Sequence, residues 1–429
     1  MLKSNVLTLL SNTANTMIET FKMPLLPVNK SSHITKGYLT EIFAIFLRLG
    51  FTSFGGPIAH IGFFHNEFVE NRKWVTESTY ADIVALCQFL PGPSSSQVGI
   101  MLGMIRAGFW GGITAWIGFT APSALAMMAF GYEINQLGSL SNVAWLHGLK
   151  IVAVAVVAQS VWGMYLTLCP DIERSIIAVA ATLFILTVPS AGSQIVAIIL
   201  GGTFGRLFLQ SNYDTTSIPL QINIGINYAV FSFVLFFCLL IGLPILVTAT
   251  GNHSLELLSG FYRSGSLVFG GGHVVLPLLQ EAVVPTGWIN NDAFLAGYGA
   301  SQALPGPLFT FAAYLGTVLN EVPNGWEGGL ICLLAIYLPS FLLLIAALPF
   351  WNTLRHRADV QSALKGVNAT VVGILLGALY APVFTNAIFG MVDFSIALAA
   401  FVFLVFLRTP PWLVVVLGAC STSILQLVA

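Results

Sequence analysis

Charge is what this sequence has least of. Its 429 residues hold 16 Lys and Arg against 17 Asp and Glu, 8% charged in all, while 56% are hydrophobic. A soluble globular chain carries about 25% charged residues, so that class is excluded and a polytopic membrane protein is indicated. A formal net charge of −1 leaves no basic stripe to neutralise phosphates, which sets nucleic acid aside as a partner. Metal and redox spacings are missing too. Cys87, Cys169, Cys238, Cys332 and Cys420 lie far apart with no CxxC, and read as small buried hydrophobes. No Walker motif is present, so ATP is not the direct drive. Without GxSxG, HExxH or paired intramembrane aspartates, an intramembrane hydrolase ranks last. No enzyme activity, cofactor or metal is expected. Residues 1–37 lack the apolar core and cleavage site of a secretory signal, and read as a polar cytoplasmic tail with Lys3, Lys22, Lys30 and Lys36 against Glu19.

What is there begins with a tetrapeptide that occurs twice, Leu90-Pro91-Gly92-Pro93 and Leu304-Pro305-Gly306-Pro307. A Pro-Gly-Pro break ends one helix and frees the N–H groups that open the next. In lipid such a break persists only inside protein or beside a water-filled cavity. A second kind of break, Gly55-Gly56-Pro57, interrupts the apolar stretch that starts at Tyr38. Helices of about 15 residues rise only about 22 Å, less than the roughly 30 Å hydrocarbon core, so the flanking segments read as re-entrant hairpins. Full-length candidates follow at 110–132, 143–168, 174–188, 193–209 and 228–247.

Then the pattern restarts. Arg48, Gly55 and Gly56 meet Arg263, Gly270 and Gly271 at an offset of 263 − 48 = 215, and the second LPGP follows the first at 305 − 91 = 214. Glu67, Trp74 and Gln88 meet Glu281, Trp288 and Gln302; Pro122-Ser123 meets Pro339-Ser340; Lys150 meets Lys365. So many rare residues at one spacing mark a duplicated unit. The turn at Arg72-Lys73 is basic where its counterpart is not, and the loop with Arg355 and Arg357 is basic where 133–142 is not. By the positive-inside rule the halves face opposite ways. The expected fold is therefore an all-α polytopic membrane protein of two inverted-topology repeats with re-entrant broken-helix hairpins, a common build of secondary transporters. The expected divisions are a tail at 1–37, a first repeat at 38–210, a linker with a topology-inverting helix at 211–252, and a second repeat at 253–429.

The blocks FTSFGGPIAHIGFF and QFLPGPSSSQ in the first half, with LVFGGGHVVLPLLQE and QALPGPLFTFAAYLGT in the second, identify the chain as resembling the chromate ion transporter family, long two-repeat type. The likeness covers about residues 38–428. It implies a multi-pass protein of the bacterial cytoplasmic membrane that exports chromate, an oxyanion that mimics sulfate.

The candidate substrate-binding set is Arg48, Arg263, Gly55, Gly56, Pro57, Gly270, Gly271, Gly272, the two Pro-Gly-Pro breaks (Pro91, Gly92, Pro93; Pro305, Gly306, Pro307), Ser94, Ser95, Ser96, Gln97, Lys150 and Lys365. An arginine near mid-membrane costs about 2.5 to 3.5 kcal/mol on insertion scales, so two at matched positions call for a purpose, here pairing with a dianion through the guanidinium fork. The plainer alternative is that each satisfies nearby carbonyls or snorkels. Helix starts after the breaks offer N–H groups and a dipole worth about 0.3 to 2 kcal/mol toward an anion, the alternative being a hinge. The two lysines can also snorkel. Glu67 and Glu281 are candidates for proton coupling or for holding the arginines. His60, His65 and His273 share the hairpins, though His60 meets Val275 and His273 meets Ile58 in the repeat, and read first as packing residues. The function expected is a secondary active transporter of a divalent oxyanion, chromate outward by alternating access. An uptake carrier for sulfate or another oxyanion, and an uncoupled anion channel, remain open. The partners expected are a small inorganic oxyanion, membrane lipid, a coupling ion or proton, and room for a second copy of the chain.

Overall fold

The computed structural model describes residues 36–428 except 137–143, 189–190, 210–224, 270–271 and 355–356. Those residues are almost wholly helical, with no strand among them. The first hairpin is α1 (Lys36–Thr52) and α2 (Gly56–His65), closed by a π-turn at Asn66–Asn71. Gly55 and Gly56 between its limbs take φ of 100° and 78°, a left-handed turn that side chains resist, and Pro57 then opens α2 where its missing N–H costs nothing. The second is α3 (Glu77–Phe89) and α4 (Ser94–Gln136). α4 is two helices in one: at Ala107 and Gly108 the backbone leaves helical geometry, and the chain doubles back so that Gly103 and Gly111 pack backbone to backbone.

Membrane-length helices come next: α5 (Ala144–Leu168), the shorter pair α6 (Ile172–Thr187) and α7 (Ala191–Phe208), and α8 (Ile226–Thr250). α6 falls short of the usual 20 residues, and both α6 and α7 pack lengthwise on α15. α8 is lined by exposed apolar side chains such as Tyr228, Phe231 and Ile241, the surface of a lipid-facing helix.

The second unit repeats the first. α9 (His253–Ser266), a 3-10 turn at Gly272–Val274 and α10 (Val275–Val283) form its first hairpin. α11 (Asn291–Ser301), α12 (Phe311–Thr317) and α13 (Gly325–Ala347) form its second, with Gly316 against Gly328 as Gly103 is against Gly111. A short α14 (Trp351–Leu354), then α15 (Ala358–Ala378), α16 (Met391–Val405) and α17 (Pro411–Val428) complete it. α15 runs into a π-turn, Leu379–Phe384, that extends its apolar length.

The opposed orientation of the repeats follows from what the long limb of α4 joins. At its start Arg106 pairs with Glu41 at the base of the first hairpin. At its end Tyr132 accepts from the Trp326 N–H and Asn135 donates to the Thr317 carbonyl, at the base of the second unit's hairpin. The intervening helix is about 40 Å long at 1.5 Å per residue. The two hairpin sets therefore enter from opposite ends, and their breaks lie between.

Two tests follow. In a cysteine-free background, Glu133→Cys and Arg357→Cys should label with impermeant maleimide from opposite sides of the membrane. Gly103→Ala and Gly316→Ala place a methyl 2.3 Å and 2.2 Å from the facing Gly111 and Gly328 carbonyls, and should destabilise by about 1 to 3 kcal/mol. Thermal unfolding in detergent should show this, with Gly163→Ala, which meets nothing within 4 Å, as the control.

Candidate functional site

Each repeat's LPGP seals the other repeat's break. The Gly92 N–H donates to the Val268 carbonyl at 2.7 Å, and the Gly306 N–H donates to the Ser53 carbonyl at 2.9 Å. The donors are equivalent positions (306 − 92 = 214) and so are the acceptors (268 − 53 = 215). Both glycines hold positive φ, 123° and 99°, which turns the N–H outward. A side chain there would also collide with the other unit: at Gly92 with Ser340 Oγ, at Gly306 with Ser123 Oγ. The Pro-Ser pairs that matched in sequence are thus the surfaces onto which the crossed turns pack. The breaks also face each other directly, Gly272 against the Pro57 ring.

Hydroxyl groups surround this crossing. His60, buried at 1% exposure, faces the Ser53 carbonyl through Nε2 at 3.1 Å and Ser95 Oγ through Nδ1 at 3.3 Å. A carbonyl only accepts, so Nε2 carries the hydrogen and Nδ1 accepts from Ser95. Ser96 Oγ lies 3.4 Å from the Tyr337 hydroxyl, and Gln97 Nε2 donates to the Pro91 carbonyl at 2.8 Å. Gly56 packs near His273 Nε2, whose Nδ1 pairs with the Tyr298 hydroxyl at 2.8 Å. Among the described residues, Ser53 Oγ, Gln97 Oε1, Trp116 Nε1 and Ser340 Oγ are buried without a hydrogen-bond partner. Each such group costs about 1 to 3 kcal/mol unless something else satisfies it.

The arginines part company. Arg48 turns to the base of its hairpin, where its Nη2 is 2.7 Å from Glu67 Oε1, the atom that also accepts from Arg72 Nε at 2.6 Å. Arg72 and Arg106 share Glu41, and Arg106 lies over the Tyr38 and Trp74 rings. Burial opposes charge on Glu67, but the Arg72 hydrogen bond and the charges of Arg48 and Arg72 outweigh it and hold its carboxyl below the ordinary value. Arg263, in the last turn of α9, has no ion-pair partner among the described residues. Its positive charge there also suits the helix dipole.

The lysines lie toward opposite ends of α5. Lys150, buried in α5, pairs with Asp292 of α11 at 2.8 Å. One turn earlier, His147 meets Asp393 at 3.0 Å and stacks on Phe389. Lys365 lies near the α5–α6 turn, where the Arg174 hydrogen bonds and, less strongly, the Lys365 charge hold Asp171 low. Glu281 is in the last turn of α10, and His65 pairs with Glu77 at 2.7 Å. Pro93 and Ser94 open α4 and Pro305 and Pro307 flank Gly306; Gly270 and Gly271 lie outside the described residues. Sequence reasoning missed Ser53, Trp116 and Tyr337, which look like ordinary helix residues. The matched Pro-Ser pairs were the available signal for Ser340.

Comparison with known proteins fits this geometry. The family model described as chromate transporter matches residues 40–206 and again 255–422. The chain belongs to the chromate transporter family. It is 27% identical over 362 residues to a probable chromate transport protein of Synechococcus elongatus, covering 81% of this chain and 85% of that one. It is 26% identical over 345 residues to a chromate transport protein of Pseudomonas aeruginosa, covering 78% and 79%. An uncharacterized transporter of Bacillus subtilis is 34% identical over 125 residues, 29% of this chain but 68% of that one, so a chain of about one repeat's length also matches. No solved structure matches.

Glu67→Gln should lower stability at neutral pH by about 1 to 2 kcal/mol, discounted because Arg48 is more than half exposed. A lowered carboxylate pKa stabilises above the unfolded-state pKa and is lost as pH falls through the folded one. The gap between wild type and variant in detergent melts should therefore close on acidification.

Proposed function

We propose that this protein is a secondary active transporter of a tetrahedral oxyanion that is divalent in free solution, and that it moves chromate outward across the cytoplasmic membrane by alternating access. The observation that carries this is the reciprocal crossing of the two LPGP turns with buried, unpartnered polar atoms around it. Such a centre offers helix starts and hydroxyl donors to an anion without a fixed countercharge, so release is not blocked by a buried salt bridge. Arg263 supplies the long-range attraction, and Arg48 is the first repeat's structural counterpart, held by Glu67. Gly55, Gly56, Pro57 and Gly272 form the walls, and Gly92, Gly306 and Ser94 to Gln97 line the centre. Lys150 is a station near the end opposite the Arg72 turn. Glu281 takes the place of Glu67 in the second unit.

Export can run on the membrane potential. Each negative charge leaving an inside-negative cell gains about 2.3 kcal/mol per 100 mV. A sulfate uptake carrier would need coupled cations, and a channel would conduct without saturating.

The test is flux in proteoliposomes with a panel of oxyanions, with and without imposed proton and potential gradients. Saturable chromate flux that responds to potential is expected. Arg263→Ala should reduce it by about 10-fold or more with the protein still inserted, while Arg48→Ala should act chiefly on stability. Unchanged flux in Arg263→Ala removes that residue from the site, and non-saturating flux replaces the carrier by a channel.

A further inference from the structure

Gln97 brings an acceptor to the crossing, where a bare anion needs donors. Its Nε2 donates to the Pro91 carbonyl at 2.8 Å. Since that carbonyl cannot donate, the amide's orientation is fixed by chemistry and Oε1 must face the other way. Oε1 has no partner among the described residues, and the side chain is 0% exposed. Ser340 Oγ stands in the same corner: a methyl on Gly92 would lie 2.4 Å from it and 2.7 Å from Gln97 Nε2. It too is wholly buried and unpartnered. A native fold keeps an unsatisfied buried acceptor where a ligand or water completes it.

A fully deprotonated tetrahedral oxyanion has only lone pairs to offer. Against Ser340, Ser53 and the first N–H groups of α4 these are welcome, but against Gln97 Oε1 they repel. An oxyanion that keeps one proton resolves the conflict, since its O–H donates to Oε1 while its other oxygens accept. We propose that the crossing binds the singly protonated oxyanion, hydrogen chromate in the case of chromate, and that Gln97 Oε1 selects that form. This rests on the transport reading above and adds to it the protonation state of the cargo and the basis of its selectivity.

The chemistry separates anions that size cannot. Chromate keeps its last proton to near neutral pH, whereas sulfate and molybdate, also tetrahedral, have lost theirs at far lower pH. A buried polar group that must be satisfied discriminates strongly against the analogue lacking the matching hydrogen. The proton stays on the ligand throughout, so each turnover carries one negative charge. It is released in water on the far side as hydrogen chromate re-equilibrates.

Titratable groups near Gln97 are His60 through Ser95, Tyr337 beside Ser96, and His273 with Tyr298 at the breaks, while Arg263 is in the last turn of α9, the helix that leads to Val268. A titration of theirs would also change the binding of perchlorate, a tetrahedral monoanion that does not titrate, so perchlorate serves as the control. The experiment uses the full chain in proteoliposomes, measuring chromate flux from roughly pH 6 to 8.5 with competition by perchlorate and sulfate. Above chromate's protonation midpoint, the apparent affinity for total chromate should fall about tenfold per pH unit while that for perchlorate stays within about twofold. The transport current should count one charge per chromate. Gln97→Leu should narrow the preference for chromate over sulfate by about tenfold or more. Chromate affinity that is flat with pH, or that moves in parallel with perchlorate, or two charges per chromate, overturns the inference while leaving the transporter intact. Absence of saturable flux of any oxyanion fails the transport reading instead. If Gln97→Leu does not fold, the wild-type pH series and charge count decide alone.

Discussion

Two backbone hydrogen bonds, from Gly92 to Val268 and from Gly306 to Ser53, are the constraint around which this molecule is arranged. A helix interrupted in lipid must find partners for the carbonyls and N–H groups it exposes, and neither repeat can do so alone. Each supplies what the other lacks, so the unit that folds is the pair. Glycine at both donors, serine at 123 and 340 beneath them, and opposed entry of the hairpins are consequences of that exchange. The close glycine contacts at Gly103 with Gly111 and Gly316 with Gly328 then hold each second hairpin tight enough to deliver its turn to the right depth.

Charge is distributed to suit the same constraint. The arginine and carboxylate network of Glu41, Arg48, Glu67, Arg72 and Arg106 gathers at a hairpin base, and Arg206 with Asp359 lies at the start of α15. The middle is left to hydroxyls, imidazoles and amides. Neutral donors there avoid the desolvation that a buried ion pair would incur, which accords with the carrier proposed above.

Much of this was legible in the sequence. The two LPGP copies, the glycine breaks and the offsets of 214 and 215 located both the repeat and its crossing, because proline and glycine announce backbone geometry directly. Membership of the chromate transporter family agrees with the motifs that first suggested it. Side-chain destinations were less legible. Arg48 and Arg263 hold equivalent positions, yet Arg48 reaches for Glu67 because Arg72 and the π-turn bring that carboxylate within range. Lys150 and Lys365 match in register but sit at opposite ends, since inversion separates equivalent residues unless they lie on the axis. His60 looked like packing, and only the fold shows it bridging Ser53 and Ser95. Unpartnered atoms such as Gln97 Oε1 have no sequence signature at all.

The ionic clasps at the two ends differ in kind. Around Arg72 every bond joins hairpins of one repeat, so that cluster can travel as a rigid piece. At the other end, Lys150 with Asp292 and His147 with Asp393 fasten the first repeat to the second. At the opposite end Arg206 of the first repeat faces Asp359 of the second at 3.7 Å, a longer and more exposed pair. The repeats are thus joined by ionic contacts at both ends, shorter at the Lys150 end than at Arg206.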